Sequence, residues 1–272
     1  MLHRPRSLLV SLLAIAIVAV GCGGGGDEGS DIPEFTTTTF PETALTGDVR
    51  VFAASSLTEV FTALGRAFEK EHPGVKVVSN FNFAGSSALA QQVNDGAPAD
   101  VFVSADEANM VKVISAGNAV DAVPIARNQL SLLVEPGNPK GITGLADLGK
   151  PGVTFAMCAP EVPCGTLGAA ALAKAGVSAA PSSQEANVNA VVSRVTLGEV
   201  DAGIVYATDV KAAGDKAQGV PIDIATDPEL LATYQIAVTK QAQNREAVDA
   251  WVRFVRSDEG LTVIVEHGFG AP

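Results

Sequence analysis

"FAASSLTEVF" (residues 52–61) and "FAGSSALAQQVNDGAPADVFVSAD" (residues 83–106) share one pattern, and that pattern decides the fold. In each, an apolar segment that predicts a strand leads through small and hydroxyl residues into a segment with helical spacing. In the second stretch, Gly96 ends the predicted helix and residues 99–103 predict a further strand. Strands that alternate with helices indicate an α/β fold with a largely parallel sheet.

The same alternation continues along the rest of the chain. The other predicted strands span residues 49–53, 75–81, 130–134, 152–157, 202–206 and 235–238. The predicted helices span residues 57–68, 88–94, 107–116, 166–175, 188–195, 245–255 and 261–266. Trp251 lies at helical spacing with Val248, Val252 and Val255, which predicts a core residue rather than a platform on which a ligand stacks.

The N-terminal segment has the pattern of an export signal. Arg4 and Arg6 precede an apolar run at residues 8–20, which is too short for a comfortable membrane span, so residues 1–21 are predicted to be a signal peptide. The Gly21-Cys22 junction looks like a bacterial lipobox and predicts that Cys22 is lipidated; cleavage nearby, with Cys22 left as a spare thiol, is the alternative. Residues 22–47 are rich in Gly, Thr, Pro and acidic residues and predict a flexible tether.

Composition limits the possible partners. The 272 residues are 47% hydrophobic, enough for one large or two modest globular domains. The formal net charge of −12 argues against a nucleic acid or an anionic membrane surface as a partner. Without Cys22, an even number of cysteines remains, Cys158 and Cys164, as an oxidising compartment favours.

Candidate binding residues cluster where predicted strands give way to helices. Ligands of open α/β sheets bind beyond the carboxyl ends of strands, and helix N-termini attract anions. Four junctions carry small or hydroxyl residues and no basic residue, and Tyr206 ends a strand at the same predicted edge. They are residues 54–56, 85–87, 163–166 and 187–188.

The first two junctions and Tyr206 also have purely structural interpretations. Ser56 and Glu59 have the spacing of a capping box, which is the more common role for such a pair taken alone. Ser86 or Ser87 could be a plain helix N-cap, and Tyr206 an ordinary half-buried tyrosine. The joint arrangement of neutral donors is what favours an anion site, because a dehydrated dianion needs several fixed hydrogen bonds.

Four segments, in order and spacing, resemble the periplasmic molybdate-binding proteins of ABC importers. They are "VFAASSLTEVF", "FAGSSALAQQVNDGAPADVFVSAD", "PEVPCGTLGAAAL" and "GEVDAGIVYATD". The resemblance runs from about residue 49 to residue 269 and implies a two-lobed type II periplasmic-binding-protein fold, each lobe a mostly parallel sheet flanked by helices, joined by two crossing strands. It implies one lobe at residues 48–129 and 238–272 and a second at residues 130–237.

The resemblance also implies a ligand set. The hydroxyl and backbone N–H groups of Ser56 and Ser86, the backbone N–H groups of Cys164 and Val188, and the hydroxyl of Tyr206 fall on the family's oxyanion ligands. The metal is then bound as an oxyanion, molybdate or tungstate, with no protein ligand to the metal and no cofactor. Cys164 stands where the family often has a small residue, which suggests a Cys158–Cys164 disulfide that holds this loop.

The expected protein is therefore an exported binding protein and not an enzyme. We expect a monomer that is lipid-anchored on the outer face of the cytoplasmic membrane, where it delivers its anion to the permease and ATPase of an ABC importer. Sulfate is the competing ligand, since it is also a tetrahedral dianion. A serine hydrolase is the alternative from another class, but no histidine has a recognisable triad partner and no G-x-S-x-G motif occurs.

Overall fold

The computed structural model describes residues 44–272, so the predicted signal peptide, Cys22 and most of the predicted tether lie outside the described residues. The strands in this range are β1 (Thr46–Asp48), β2 (Val51–Ala54), β3 (Gly74–Lys76), β4 (Phe81–Ala84), β5 (Val101–Ser104), β6 (Ala119–Asn128), β7 (Leu130–Val134), β8 (Phe155–Cys158), β9 (Ser183–Glu185), β10 (Ala202–Tyr206), β11 (Gln218–Pro221) and β12 (Ala232–Thr239). The α-helices are α1 (Thr58–Glu71), α2 (Ser86–Asn94), α3 (Glu107–Ser115), α4 (Pro163–Lys174), α5 (Val188–Thr196), α6 (Ala207–Ala213), α7 (Arg245–Val255) and α8 (Asp258–Glu266).

Ten of these strands form two five-stranded sheets. The first sheet has the order β4-β2-β5-β12-β6 and the second the order β11-β7-β10-β8-β9, while β1 and β3 form a separate parallel pair. The α/β class with helices flanking two sheets is confirmed, but the sheets are mixed rather than mostly parallel. In each sheet two pairings are parallel and two are antiparallel.

The antiparallel pairings of the first sheet come from the strands that connect the two sheets. Strand β6 ends at Asn128, and β7 of the second sheet begins two residues later at Leu130. Strand β12 returns and pairs with β6 from Ala232 and with β5 from Gln235, so the chain is back in the first sheet ahead of the expected position at residue 238. Strand β1 likewise begins at Thr46, inside the segment that was expected to be tether.

Strands β2 and β5 of the first sheet are fully buried, as their continuous apolar sequences indicate. Val51 and Ala53 of β2 pack into the same core cluster as Phe61 of α1, whereas Phe52 between them packs with Leu89 of α2. Because successive residues of a strand point to opposite faces, α1 and α2 cover opposite faces of this sheet. Trp251 of α7 is fully buried, with its ring 5.4 Å from that of Phe68, which confirms it as a core residue.

The second sheet is also covered on both faces. A Cβ atom on Gly203 of β10 would lie 2.7 Å from Val191 of α5, while the next residue, Ile204, lies against Gly168 of α4. Helices α4 and α5 therefore pack on opposite faces, and the N-terminal ends of both follow strands of this sheet. No helix among residues 44–272 is both long and apolar enough to span a membrane.

Candidate functional site

The strand-to-helix junctions of the two sheets meet around one small cavity, which we call the junction cavity. The free space between its atoms is about 190 Å³, part of it open to solvent. Its lining comprises Ala54, Ser55, Ser56, Ala84, Gly85, Ser86, Ala105, Val162, Pro163, Cys164, Val188 and Tyr206. All five residues predicted to bind the oxyanion are in this set, and among the described residues that line the cavity none has a charged side chain.

Three helices begin at the wall of the junction cavity. Ser86 is the first residue of α2, Val188 is the first residue of α5, and Cys164 is the second residue of α4. The first N–H groups of a helix have no acceptor within that helix, and the helix dipole makes this end positive. Since Pro163 has no N–H, the N–H of Cys164 is the first donor that α4 presents. Backbone donors of both sheets are thus available to a small anion.

Tyr206 places a donor in the cavity wall without a partner in the protein. Its side chain is 1% exposed, and its hydroxyl has no hydrogen-bond partner among the described residues. Burial, and after it the neighbouring acidic groups, raise the pKa of this phenol well above its ordinary value, so the hydroxyl stays protonated. An unpaired buried hydroxyl costs about 1–3 kcal/mol, a cost that a ligand in the cavity removes.

The Ser86 hydroxyl is oriented by the protein so that its proton is available. Its oxygen accepts a hydrogen bond from the backbone N–H of Ala105 at 3.0 Å, and the side chain is 1% exposed. A hydroxyl has one proton to donate and two lone pairs that accept. The bond from Ala105 uses only a lone pair of the oxygen. The O–H group can therefore donate its proton to an anion in the cavity.

The capping roles considered for these serines are not formed. Ser56 lies in a 3₁₀ turn, Ser55–Leu57, that leads into α1, and neither that turn nor α1 has a side-chain cap. The capping-box interpretation of Ser56 and Glu59 is therefore wrong. Gly85 occupies the N-cap position of α2, where no side chain caps the helix, so Ser86 and Ser87 are not N-caps. The extra 3₁₀ turn moves the start of α1 past Ser56, which lines the cavity instead of capping the helix.

The Cys164 donor is held by the loop that precedes α4. The sulfur atoms of Cys158 and Cys164 are bonded, and the two Cα atoms lie 5.6 Å apart. A Cβ atom on Gly165 would lie only 2.0 Å from the carbonyl oxygen of Ala159, so the first turn of α4 packs directly on this loop. Closing so short a loop stabilises the fold by about 2 kcal/mol in the chain-entropy model, and it restricts the orientation of the Cys164 N–H.

Asp209 is a buried carboxylate beside the site that the sequence patterns did not single out. Its Oδ2 atom accepts a hydrogen bond from the backbone N–H of Tyr206 at 2.8 Å. Burial raises the pKa of Asp209 from 3.8 to about 7, against the smaller lowering effect of that hydrogen bond. The folded protein therefore holds a proton at this carboxyl in a pH range where the unfolded chain has released it.

This raised pKa predicts a pH-dependent stability. The contribution of Asp209 to the free energy of unfolding is most favourable below about pH 4. It falls by an amount on the order of a few kcal/mol as the pH rises towards 7, and it stays low at higher pH. In Asp209→Asn, the fall in the free energy of unfolding between pH 5 and pH 8, measured by urea denaturation, should be smaller than in the parent. The exposed Asp215→Asn is the matched control, and identical pH profiles for the parent and Asp209→Asn contradict the prediction.

Among the described residues, no group of three or more His, Cys, Asp or Glu side chains is arranged to hold a metal ion. The chemistry of the cavity is thus that of neutral N–H and O–H donors around a space for a few atoms.

A family model described as "Bacterial extracellular solute-binding protein" matches residues 49–270. The chain belongs to this family.

A relative of the chain has a named ligand. The molybdate-binding protein ModA of Mycobacterium tuberculosis H37Rv is 38% identical over 223 residues, which are 82% of this chain and 84% of the relative. The expectation of a solute-binding protein, rather than a serine hydrolase, agrees with the family.

Solved structures of solute-binding proteins share the fold. The periplasmic molybdate-binding protein of Azotobacter vinelandii matches with a TM-score of 0.69 at 21% identity, over 82% of this chain and 99% of that one. The sulfate-binding protein SubI of M. tuberculosis matches with a TM-score of 0.71 at 20% identity, over 83% of this chain and 86% of that one. At such identities the likeness shows the fold and does not distinguish between the two anions.

Proposed function

We propose that this solute-binding protein captures molybdate in the junction cavity and delivers it to the permease and ATPase of an ABC importer. The observation that carries the proposal is the buried Tyr206 hydroxyl, which has no partner among the described residues and lies in a wall of neutral donors. The 38% identity to a molybdate-binding relative supports molybdate as the tetrahedral anion.

The proposed ligand set is the one that the sequence resemblance implied. Ser56 and Ser86 approach the cavity from the first sheet, and Cys164, Val188 and Tyr206 approach it from the second. We propose that the two sheets belong to two lobes that close on the anion. Contacts from both lobes exist only in the closed state, so the anion favours that state by its differential affinity.

Selectivity follows from the size of the cavity and from its donors. Molybdate has longer metal–oxygen bonds than the bonds of sulfate, so the same neutral donors must stand further apart to bind it well. Tungstate is nearly the same size as molybdate and is proposed to bind as well. A protonated oxyanion such as hydrogen phosphate presents a donor to a wall of donors, which disfavours it.

Isothermal titration calorimetry with molybdate, tungstate, sulfate and phosphate tests this proposal. We expect one site per chain, with molybdate and tungstate bound much more tightly than the other two anions. Equal affinities for sulfate and molybdate would instead favour a general tetrahedral-anion binder of the sulfate-binding type.

Lipidation of Cys22 is a separate prediction, and it concerns a residue outside the described part of the chain. The Gly21-Cys22 junction and the Gly-rich, acidic segment after it suggest an anchor that keeps a monomeric binding protein near its importer on the outer face of the membrane. Mass spectrometry of the mature protein should show an N-terminal Cys22 with a diacylglyceryl group. A mature N-terminus at another residue, without lipid, contradicts the anchor and leaves the binding proposal unaffected.

A further inference from the structure

Tyr234 is a fully buried tyrosine whose hydroxyl touches a proposed ligand residue. It lies on β12, the strand that returns to the first sheet, and it is 0% exposed. Its hydroxyl oxygen is 2.8 Å from the Oγ atom of Ser56, a residue 178 positions away in the sequence. Tyr234 does not line the junction cavity itself, so any effect on an anion must act through Ser56.

Asn128, the last residue of β6, supplies the other neighbour of the Tyr234 hydroxyl. The Asn128 side-chain oxygen accepts the backbone N–H of Gln129 at 3.0 Å, which fixes the orientation of the amide. Its Nδ2 group therefore faces the other way, where it donates to Thr208 Oγ1 at 2.7 Å and to the Tyr234 hydroxyl at 3.5 Å. All the polar atoms of this buried amide are used, as buried amides require.

These contacts determine the direction of the hydrogen bond between Tyr234 and Ser56. The Tyr234 hydroxyl has two hydrogen-bonding neighbours within residues 44–272, and of these the Asn128 Nδ2 group can only donate. Among the described residues the Tyr234 proton can thus be accepted only by Ser56 Oγ, because the opposite direction would leave a buried proton unpaired. Burial raises the pKa of the Tyr234 phenol, so this proton is retained.

We infer that Asn128 and Tyr234 are positioning residues that make the Ser56 hydroxyl a donor towards the bound anion. The chain of donors runs from the Asn128 amide to the Tyr234 hydroxyl, from there to Ser56, and from Ser56 into the junction cavity. Each bond in such a chain polarises the next, which strengthens the last donor. The inference deepens the proposed function, and it rests on an oxyanion occupying that cavity.

The arrangement also makes Tyr234 a specificity-determining residue. With one lone pair of Ser56 used by Tyr234 and its proton aimed at the ligand, Ser56 is a poor acceptor for a protonated oxyanion. In Tyr234→Phe the Ser56 hydroxyl can rotate and accept as well as donate. The variant should therefore bind molybdate more weakly and should discriminate less between molybdate and phosphate.

A double-mutant cycle tests the inference with molybdate as the probe and calorimetry as the measurement. Tyr234→Phe should weaken molybdate binding roughly tenfold in the parent and less than twofold in the Ser56→Ala background. The matched control cycle uses Ser86→Ala, because the Ser86 hydroxyl is held by Ala105 and not by Tyr234. In that background Tyr234→Phe should keep its full effect. The ratio of molybdate to phosphate affinity should fall in Tyr234→Phe.

Several outcomes would overturn the inference. Equal losses in the Ser56 and Ser86 backgrounds, or unchanged affinity in Tyr234→Phe, mean that Tyr234 does not act through Ser56. If Tyr234→Phe does not fold, Asn128→Ser tests the same chain from its other end and should show the same coupling to Ser56. If the parent binds another tetrahedral oxyanion instead of molybdate, the proposed ligand is wrong and the cycle with that anion still decides the role of Tyr234. If the parent binds none of the four anions, both fail.

Discussion

Gly85→Ala should weaken molybdate binding by about ten- to a hundredfold. Gly85 follows β4 of the first sheet, and a Cβ atom there would lie 2.3 Å from the carbonyl oxygen of Ala186, which follows β9 of the second sheet. The obstructing atom belongs to the backbone and cannot rotate away, so overpacking of about 1–3 kcal/mol acts against the arrangement that closes the cavity.

The effect should be confined to closure. Gly85 has φ −63° and ψ 138°, a conformation that alanine adopts without strain, so the variant should fold normally. Calorimetry should show the loss of affinity, while the thermal midpoint without ligand changes little. Gly144→Ala is the matched control because a Cβ atom there meets nothing within 4 Å. Affinity within twofold of the parent in Gly85→Ala contradicts the proposed closure.

Ser86→Ala should cost a similar factor, ten- to a hundredfold in molybdate affinity. Hydrogen bonds to charged groups contribute on the order of 1.5–3 kcal/mol, and Ser86 has its proton free to make one. The change also removes the acceptor of the buried Ala105 N–H, so the free energy of unfolding should fall by about 1–3 kcal/mol.

The neighbouring Ser87 provides the control for this prediction. Ser87→Ala changes the same helix turn at a residue that does not line the junction cavity, so it should leave both the affinity and the stability near those of the parent. An Ser86→Ala variant that loses stability but binds molybdate as tightly as the parent would limit Ser86 to a structural role.

The strand-to-helix junctions were predictable because local pattern determines them. Apolar strand residues followed by hydroxyls and a glycine mark both the element boundary and its chemistry, and residues 56, 86, 164, 188 and 206 do meet at one cavity. Helix α7 was predicted with its observed bounds because its apolar residues recur on one face. These features depend on residues close together in the sequence.

Features set by distant contacts were missed. Strand β6 contains Pro124, and its pairing with β12 shifts register at this proline. Its residues also show no regular alternation of burial, so nothing in the local sequence indicates a strand. The alternation of strands and helices along the chain also does not show which neighbouring strands pair parallel and which pair antiparallel. Tyr234 stands in an ordinary strand pattern, and only the fold brings it to Ser56. The capping-box spacing of Ser56 and Glu59 misled for the same reason, since this tertiary contact competes with the cap.

Anomalous diffraction from crystals grown with molybdate tests the central claim most directly, because it locates the metal itself. Data collected above the molybdenum absorption edge should show one strong peak in the junction cavity. Its oxygens should lie within hydrogen-bond distance of the hydroxyls of Ser56, Ser86 and Tyr206 and of the N–H groups of Cys164 and Val188. A strong peak at another place, or a cavity that holds only water at saturating molybdate, would contradict the account.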